Sequence, residues 1–300
     1  MKPLGPVPEF FAALDGRLAI AGRDVEALVA EAGGTPAFVY SRELIAARVA
    51  RLRAALPGQV ALHYAVKANP FRPVLKSMSE LVDGFDIASY ASAASGVTVS
   101  LDGKVQSGDA LGDTFVGIEG LEGSAYGDTL IGSAGNDKLL GGGGDDLLLG
   151  GSGADSLEGG DGFDTVDYSA SYQAVNVRLD GGASFGGEAQ GDVITGVEHV
   201  IGSSFDDTLT GSASNDMLDG GSGNDLLVGG AGADTLVGGS GIDTASYAGS
   251  ATGVTVALDG TAGRGGDAEG DMLVGVENLT GSGFDDQLSG DDNANQLSGG

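Results

Sequence analysis

Aspartate recurs at one position of a nine-residue repeat, and this residue type and spacing could do chemistry. The repeat is clearest from Gly220 to Ser246, which reads GGSGNDLLV, GGAGADTLV and GGSGIDTAS. Glycine fills positions one, two and four, aspartate fills position six, and position eight is usually aliphatic. Carboxylates at a fixed interval bring oxygen atoms to regular points of a fold, so the pattern indicates binding of an oxygen-preferring cation.

The repeat forms two full arrays and the start of a third. Five nonapeptides run from Gly123 to Asp167, five run from Gly202 to Ser246, and two begin at Gly281. Turn chemistry alone also favours glycine and aspartate at bends, but it does not explain ten array copies with aspartate at one position. We predict the following metal ligands at position six: Asp128, Asp137, Asp146, Asp155, Asp164, Asp207, Asp216, Asp225, Asp234, Asp243 and Asp286.

The elements that must position these aspartates are glycine turns and short strands. Glycine at positions one, two and four allows a tight turn that directs carbonyl groups inward, and positions seven to nine are expected to form a three-residue strand. Two consecutive repeats then make one coil, which stacks Asp128 on Asp146 on Asp164. Stacked carboxylates repel one another, and an ion with six to eight oxygen ligands removes that cost. Calcium fits such a site better than magnesium, which demands an octahedron, or zinc, which prefers His and Cys.

The loops differ in how completely they match the pattern. Those that begin at 141, 150, 159, 220, 229 and 238 carry all three glycines, whereas the opening loop of each array has Tyr126, Phe205 or Phe284 at position four. We interpret the opening loops as caps of the roll. The firmest sites are expected between Asp137 and Asp155, Asp146 and Asp164, and Asp225 and Asp243, with a weaker site between Asp216 and Asp234.

The core of such a roll is thin, because only one aliphatic side chain in nine points inward. Each buried leucine contributes about 2 kcal/mol, and each ordered residue costs roughly 1–2 kcal/mol of backbone entropy. Hydrophobic burial therefore cannot fold the arrays alone. We expect calcium binding to supply the difference, so that the repeats fold when they bind the ion.

Composition divides the chain into two kinds of polypeptide near residue 84. Residues 1–83 hold all seven prolines, ten of the 14 Lys and Arg, and six of the 57 glycines. The remainder has four basic residues against 35 acidic ones, a net charge of −31, which argues against nucleic acid and anionic membranes as partners. The sequence has no cysteine, no apolar run long enough to span a membrane and no signal-peptide pattern at its start.

A longer period contains the nonapeptides. Tyr90, Tyr168 and Tyr247 recur at nearly equal intervals, and so do Leu101, Leu179 and Leu258. Each module begins with an alternating strand such as VTVSL, continues with a degenerate nonapeptide and a six-residue insert such as GVEHVI, and ends in the array. We predict four segments: an N-terminal segment at 1–83 and modules at 84–163, 164–242 and 243–300, the last of them truncated.

The repeat region resembles the RTX region of hemolysin-type and serralysin-type proteins, over residues 84–300. The resemblance implies an all-β fold, a parallel β-roll or β-helix, that binds calcium outside the cell after type I secretion. In that family an uncleaved C-terminal signal directs secretion. The sequence ends within a repeat, at QLSGG, without that signal. We therefore expect a fragment of a longer secreted protein, and the secreted location is implied by the resemblance alone.

The N-terminal segment resembles a different family. GTPAFVYSRELIAARVARLRAAL and HYAVKANP are similar to the start of fold-type III pyridoxal-phosphate decarboxylases, the diaminopimelate and ornithine decarboxylase family. The resemblance implies an incomplete α/β segment, part of a TIM barrel, with Lys67 at the position of the Schiff-base lysine. The family's phosphate loop and pyridinium partner are missing, so we expect neither bound cofactor nor catalysis. GFDIAS at 84–89 fits both families, which indicates a chimera joined at this shared word.

These observations lead to one functional prediction and two alternatives. The prediction is a non-enzymatic structural module that binds calcium ions and folds on binding them. The first alternative is a pyridoxal-phosphate decarboxylase that uses Lys67. The second is a fragment of a larger RTX adhesin or toxin whose active part lies elsewhere.

Overall fold

The computed structural model describes residues 87–115 and 117–300, Ala50, and the backbone of short strands at 11–14, 17–20, 23–24 and 66–67. The chain divides into two compact units, one of residues 1–65 and 70–85 and the other of residues 66–69 and 86–300. In the first unit, β1 (Phe11–Leu14), β2 (Arg17–Ile20) and β3 (Arg23–Asp24) form an antiparallel sheet. Most of the segment for which an incomplete α/β structure is expected, residues 1–83, lies outside the described residues.

The second unit is built from short, mostly parallel strands separated by turns. Its strands are β4 (Val66–Lys67), β5 (Ala88–Ser89), β6 (Thr98–Ser100), β7 (Gln106–Ser107), β8 (Gly120–Glu122), β9 (Thr129–Ile131), β10 (Lys138–Gly143), β11 (Leu147–Leu149), β12 (Ser156–Asp161), β13 (Thr165–Asp167), β14 (Asn176–Arg178), β15 (Val193–Thr195), β16 (His199–Ile201), β17 (Thr208–Thr210), β18 (Met217–Asp219), β19 (Leu226–Val228), β20 (Thr235–Val237), β21 (Thr244–Ser246), β22 (Thr255–Ala257), β23 (Met272–Val274), β24 (Asn278–Thr280), β25 (Gln287–Ser289) and β26 (Gln296–Ser298). The predicted all-β parallel roll is therefore confirmed for this unit.

The strands occupy positions seven to nine of the repeats, and alternate repeats pair with each other. Leu130 lies opposite Leu148, and Leu148 lies opposite Val166. On the other side of the roll, Leu139 lies opposite Leu157. In both sheets the paired residues are two repeats apart in the sequence, as the sequence predicts. Each coil of the roll therefore consists of two repeats, and every loop stacks on the loop two repeats away.

The roll uses four parallel sheets in succession. The first contains β4, β5, β8, β10, β12 and β15; the second contains β6, β9, β11, β13, β16, β18, β20 and β23, with β7 at its antiparallel edge; the third contains β14, β17, β19, β21, β24 and β26; the fourth contains β22 and β25. Strands of the first array alternate between the first and second sheets, and strands of the second array alternate between the second and third. Neighbouring arrays therefore share one continuous sheet.

The segments between arrays contribute strands as well. The predicted alternating strands are β6, β14 and β22, and each six-residue insert contains a strand, namely β8, β16 or β24. The degenerate nonapeptides begin with 3-10 turns at Gly108–Ala110, Gly187–Ala189 and Gly266–Ala268. None of the helices in the described part of the chain has the length and apolar character needed to cross a membrane.

The core consists of side chains from repeat position eight, contributed by strands on both sides of the roll. Because each strand is short and its middle residue faces inward, one aliphatic side chain per repeat enters the core. The following core residues are at most 1 % exposed: Leu130, Leu139, Leu148, Leu157, Val166, Leu209, Leu218, Leu227, Leu236 and Ala245. The thin core predicted from the sequence is present, and it places the aspartate loops along both sides of the roll.

Candidate metal centres

The position-six aspartates form ladders along the roll axis. The backbone N–H of Asp128 donates to Oδ1 of Asp146 at 2.7 Å, and the N–H of Asp146 donates to Oδ1 of Asp164 at 2.8 Å. The same bond joins Asp137 to Asp155 on the other side, at 2.8 Å. The second array repeats the arrangement, for example from Asp207 to Asp225 at 2.8 Å. One carboxylate oxygen of each stacked aspartate is therefore used to connect successive coils.

The loops fall into two groups according to whether the other carboxylate oxygen, Oδ2, has a hydrogen-bond partner. Six aspartates have a buried Oδ2 with no hydrogen-bond partner: Asp146, Asp155, Asp164, Asp225, Asp234 and Asp243. These side chains are 0–2 % exposed. We call their loops open loops. A buried carboxylate oxygen without a partner is costly, since neither water nor a protein donor compensates for the lost hydration.

Burial changes the acidity of these carboxyl groups. Burial first, and neighbouring carboxylates second, raise the pKa of Asp146, Asp155, Asp225 and Asp234 to about 7, against the opposing effect of a backbone hydrogen bond. Burial also raises the pKa of Asp164. A bound cation would favour the charged form and offset both the burial and the mutual repulsion.

The other predicted ligands lie in loops that satisfy their own carboxylates, which we call closed loops. Oδ2 of Asp137 accepts a hydrogen bond from the N–H of Ser133 at 2.6 Å, and Oδ2 of Asp286 accepts one from the N–H of Ser282 at 2.8 Å. The five closed-loop aspartates are Asp128, Asp137, Asp207, Asp216 and Asp286. Asp216 keeps a buried Oδ1 without a partner. Asp137 and Asp216 thus lie in similar loops, although the sequence ranks their sites differently.

Oxygen atoms converge where the position-one glycine has no side chain. A Cβ atom on Gly141 would clash with Oδ2 of Asp146 and would lie 2.5 Å from the carbonyl oxygen of Gly159, one coil further on. A Cβ atom on Gly220 would meet Oδ2 of Asp225 and lie 2.7 Å from the carbonyl oxygen of Gly238. In the open loops that begin at 141, 159, 220 and 238, glycine at this point therefore lets a carboxylate and a carbonyl come together.

Carbonyl groups also line the gap between stacked turns. Gly160 and Gly162 have φ values of +123° and +152°, which side chains rarely adopt. A Cβ atom on either residue would clash with the carbonyl oxygen of Gly142 or Gly144, one coil earlier. The carbonyl oxygens of positions two and four therefore face the next loop in the stack.

The donor set is entirely oxygen. The described residues contain no cluster of three or more His, Cys, Asp or Glu side chains, so carboxylates act here together with backbone carbonyls. Calcium accepts six to eight such oxygens in irregular geometry, whereas zinc prefers nitrogen and sulfur. The residues present thus fit calcium, held by the open-loop carboxylates and the adjacent glycine carbonyls.

Acidic residues that the sequence analysis did not select end each ladder. Asp192 Oδ1 accepts the N–H of Asp155 at 2.8 Å, and Asp271 Oδ1 accepts the N–H of Asp234 at 2.9 Å. Glu198 and Glu277 accept the N–H groups of Asp164 and Asp243 at 3.0 and 2.9 Å, respectively. The longer period that relates the modules aligns these pairs and could have identified them. Lys67 ends β4, and its side chain lies outside the described residues.

Each of the recurring tyrosines donates a hydroxyl hydrogen bond to an aspartate. Tyr168 donates its hydroxyl to Oδ2 of Asp192 at 2.7 Å, and Tyr247 donates to Oδ2 of Asp271 at 2.9 Å. Tyr90 makes the corresponding bond to Asp113 at 2.8 Å. Tyr168 and Tyr247 are each 2 % exposed. Tyr168 and Tyr247 therefore each satisfy a buried carboxylate where one module meets the next.

Tyr168→Phe is expected to destabilise the folded chain by about 1–3 kcal/mol, because it leaves Oδ2 of Asp192 buried without a donor. Urea unfolding at a fixed calcium concentration measures this loss. Tyr172→Phe is the matched control, since Tyr172 is 65 % exposed and its change should stay within about 0.5 kcal/mol. Equal stability of Tyr168→Phe and the wild type would contradict the role assigned to the hydroxyl.

A parallel roll with stacked, oxygen-lined loops defines a cation-binding repeat protein. The family model of the RTX calcium-binding nonapeptide repeat (four copies) matches residues 122–157, 149–167, 192–227, 215–245 and 274–300. The chain therefore carries RTX calcium-binding nonapeptide repeats, and these repeats form a calcium-binding structural module. A comparison with curated proteins finds no match.

Proposed function

We propose that the roll binds calcium at its open loops and that the bound ions hold its coils together as the structural module of a secreted protein. The observation that carries the proposal is the set of six buried Oδ2 atoms without partners, all in loops with glycine at positions one, two and four. The ligands assigned are Asp146, Asp155, Asp164, Asp225, Asp234 and Asp243, each with glycine carbonyls of its own and the next coil.

A mechanical role follows from where the ions would lie. Each ion would join an open loop to the segment that stacks on it in the next coil, beside a core with one aliphatic side chain per repeat. Cross-linking successive coils in this way opposes their separation, and binding to the folded state alone stabilises it increasingly as the ion concentration rises. The proposal assigns the roll no catalytic step.

The division of the chain is part of the proposal. We assign the calcium-dependent structure to modules 84–163, 164–242 and 243–300, and we give residues 1–83 no part in it. An extracellular location fits a calcium-dependent module, because calcium is abundant there, and this assignment rests on the kind of repeat. An N-terminal decarboxylase that uses Lys67 stays an alternative that no observation in the described residues favours.

Isothermal titration calorimetry of the full chain, with calcium and then magnesium as the titrant, tests the proposal. We expect a saturable heat with calcium and a much weaker response to magnesium, because the irregular carbonyl and carboxylate donors do not form the octahedron that magnesium demands. Equal responses to both ions would indicate counterion condensation on an acidic surface. That result, or no response to calcium, would contradict the proposal.

A further inference from the structure

Among the loops with aspartate at position six, the residue at position two always distinguishes the open loops from the closed loops. Five such loops have serine there, and in all five the serine N–H donates to Oδ2 of the aspartate at position six of the same loop. The serines are Ser124, Ser133, Ser203, Ser212 and Ser282. All six loops with glycine at position two leave Oδ2 without a partner.

The backbone explains the difference. In the open loops, the position-two glycines have φ between +88° and +123°, a region that side chains rarely adopt. In the closed loops the serine N–H instead points to the carboxylate, and its hydroxyl adds a second bond. Oγ of Ser133 lies 2.9 Å from Oδ2 of Asp137, and Oγ of Ser203 lies 2.8 Å from Oδ1 of Asp207.

The closed loops otherwise offer the same oxygens as the open ones. A Cβ atom on Gly202 would lie 2.6 Å from Oδ2 of Asp207 and 2.7 Å from the carbonyl oxygen of Gly220. The equivalent two atoms, Oδ2 of Asp225 and the carbonyl oxygen of Gly238, converge beside Gly220 in the open loop that stacks on this closed loop. Asp207 is 2 % exposed, so its burial also matches that of the open-loop aspartates. Position four also differs in four of the five closed loops, but the Ser133 loop keeps glycine there and is closed all the same. Serine at position two is thus the difference that all five closed loops share.

We propose that serine at position two closes a loop to calcium, so that calcium enters only the six glycine loops, and that replacing the serine with glycine creates a further calcium site. This inference rests on the proposed calcium-binding function and adds the residue that selects among its loops. The closed loops are the first two of each full array, one on each side of the roll, and the first loop of the third. Each column of ions would therefore begin after a loop whose Oδ2 already has a hydrogen-bond donor.

Native mass spectrometry of the full chain at saturating calcium counts the bound ions. We expect about six ions on the wild type, one for each open loop, and two more on the double variant Ser133→Gly, Ser203→Gly. The double variant Ser152→Gly, Ser222→Gly is the matched control, because it makes the same chemical change at position three of open loops. Its count should equal that of the wild type.

A second pair of variants separates the backbone from the hydroxyl. Ser133→Ala, Ser203→Ala removes both hydroxyl groups but keeps a side chain that disfavours positive φ, so the N–H bonds remain and the ion count should not rise. A count that rises in the alanine variant would assign the closure to the hydroxyl and overturn the backbone mechanism.

The possible failures of the two proposals are distinguishable. A wild type that binds calcium and a glycine variant with no additional ions would overturn the closure by serine and leave the calcium-binding function intact. A wild type that binds no calcium would overturn the proposed function itself. If circular dichroism in calcium shows that the double variant does not fold, Ser124→Gly provides the same test at Asp128.

Discussion

Removal of calcium is expected to abolish most of the β-structure of residues 86–300, and millimolar calcium is expected to restore it. Without the ion, six carboxylates with no partner for Oδ2 are buried beside a core of one aliphatic side chain per repeat. An uncompensated buried charge costs several kcal/mol, and protein domains are stable by only about 5–15 kcal/mol in total. The calcium-free roll therefore lacks the free energy to remain folded at neutral pH.

Far-ultraviolet circular dichroism in a calcium chelator, followed by calcium titration, measures this transition. Magnesium at the same concentration is the control, because it has the same charge and a different coordination requirement. The calcium titration should show a cooperative gain of β-signal, and the magnesium titration should leave the spectrum close to that in chelator. Identical spectra with and without calcium would mean that the roll is stable without ions.

Asp146→Ala is expected to have the largest effect of any single substitution on calcium binding. Asp146 lies in the middle of a ladder, with Oδ1 bonded to the N–H of Asp128 and its own N–H bonded to Asp164. The substitution removes one ligand, leaves the N–H of Asp128 without its acceptor and disturbs the loop that stacks on Asp164. We therefore expect the loss of two ions and a shift of the folding midpoint to higher calcium concentration.

Two further variants define the cause of that loss. Asp146→Asn keeps an acceptor for the N–H of Asp128 but removes the charge, and it should lose calcium with a smaller effect on folding. Asp161→Ala removes an exposed carboxylate at position three of a neighbouring loop and should bind as many ions as the wild type. An unchanged ion count for Asp146→Ala would contradict the stacking of sites at every second repeat.

The nine-residue period was sufficient to predict the coil, because stacking depends on spacing that is local in the sequence. Glycine, aspartate and aliphatic residues at fixed positions predict turns, ligands and core, and the pairing of Leu130 with Leu148 confirms the step of two repeats. The succession of sheets was not predictable in this way. It depends on pairs such as Leu157 with Ile194, which bring together an array and the segment that follows it.

The sequence pattern also does not predict which carboxylate oxygens have hydrogen-bond partners. In the sequence, Ser133 in place of glycine is only a departure from the motif, whereas its structural effect depends on the direction of one N–H group. The bond from Tyr168 to Asp192 joins two segments that do not follow the nonapeptide. Such contacts depend on the three-dimensional path of the chain between the arrays, which residue spacing does not define.

The most direct test of the account is a crystal structure of the calcium-loaded chain with anomalous diffraction to locate the ions. We predict anomalous peaks at about 2.3–2.6 Å from Oδ2 of Asp146, Asp155, Asp164, Asp225, Asp234 and Asp243, with glycine carbonyls completing each site. The loops of Ser124, Ser133 and Ser203 should keep their N–H bonds to aspartate. Peaks confined to exposed acidic side chains, with these six oxygens still without a ligand, would contradict the assignment of the open loops as calcium sites.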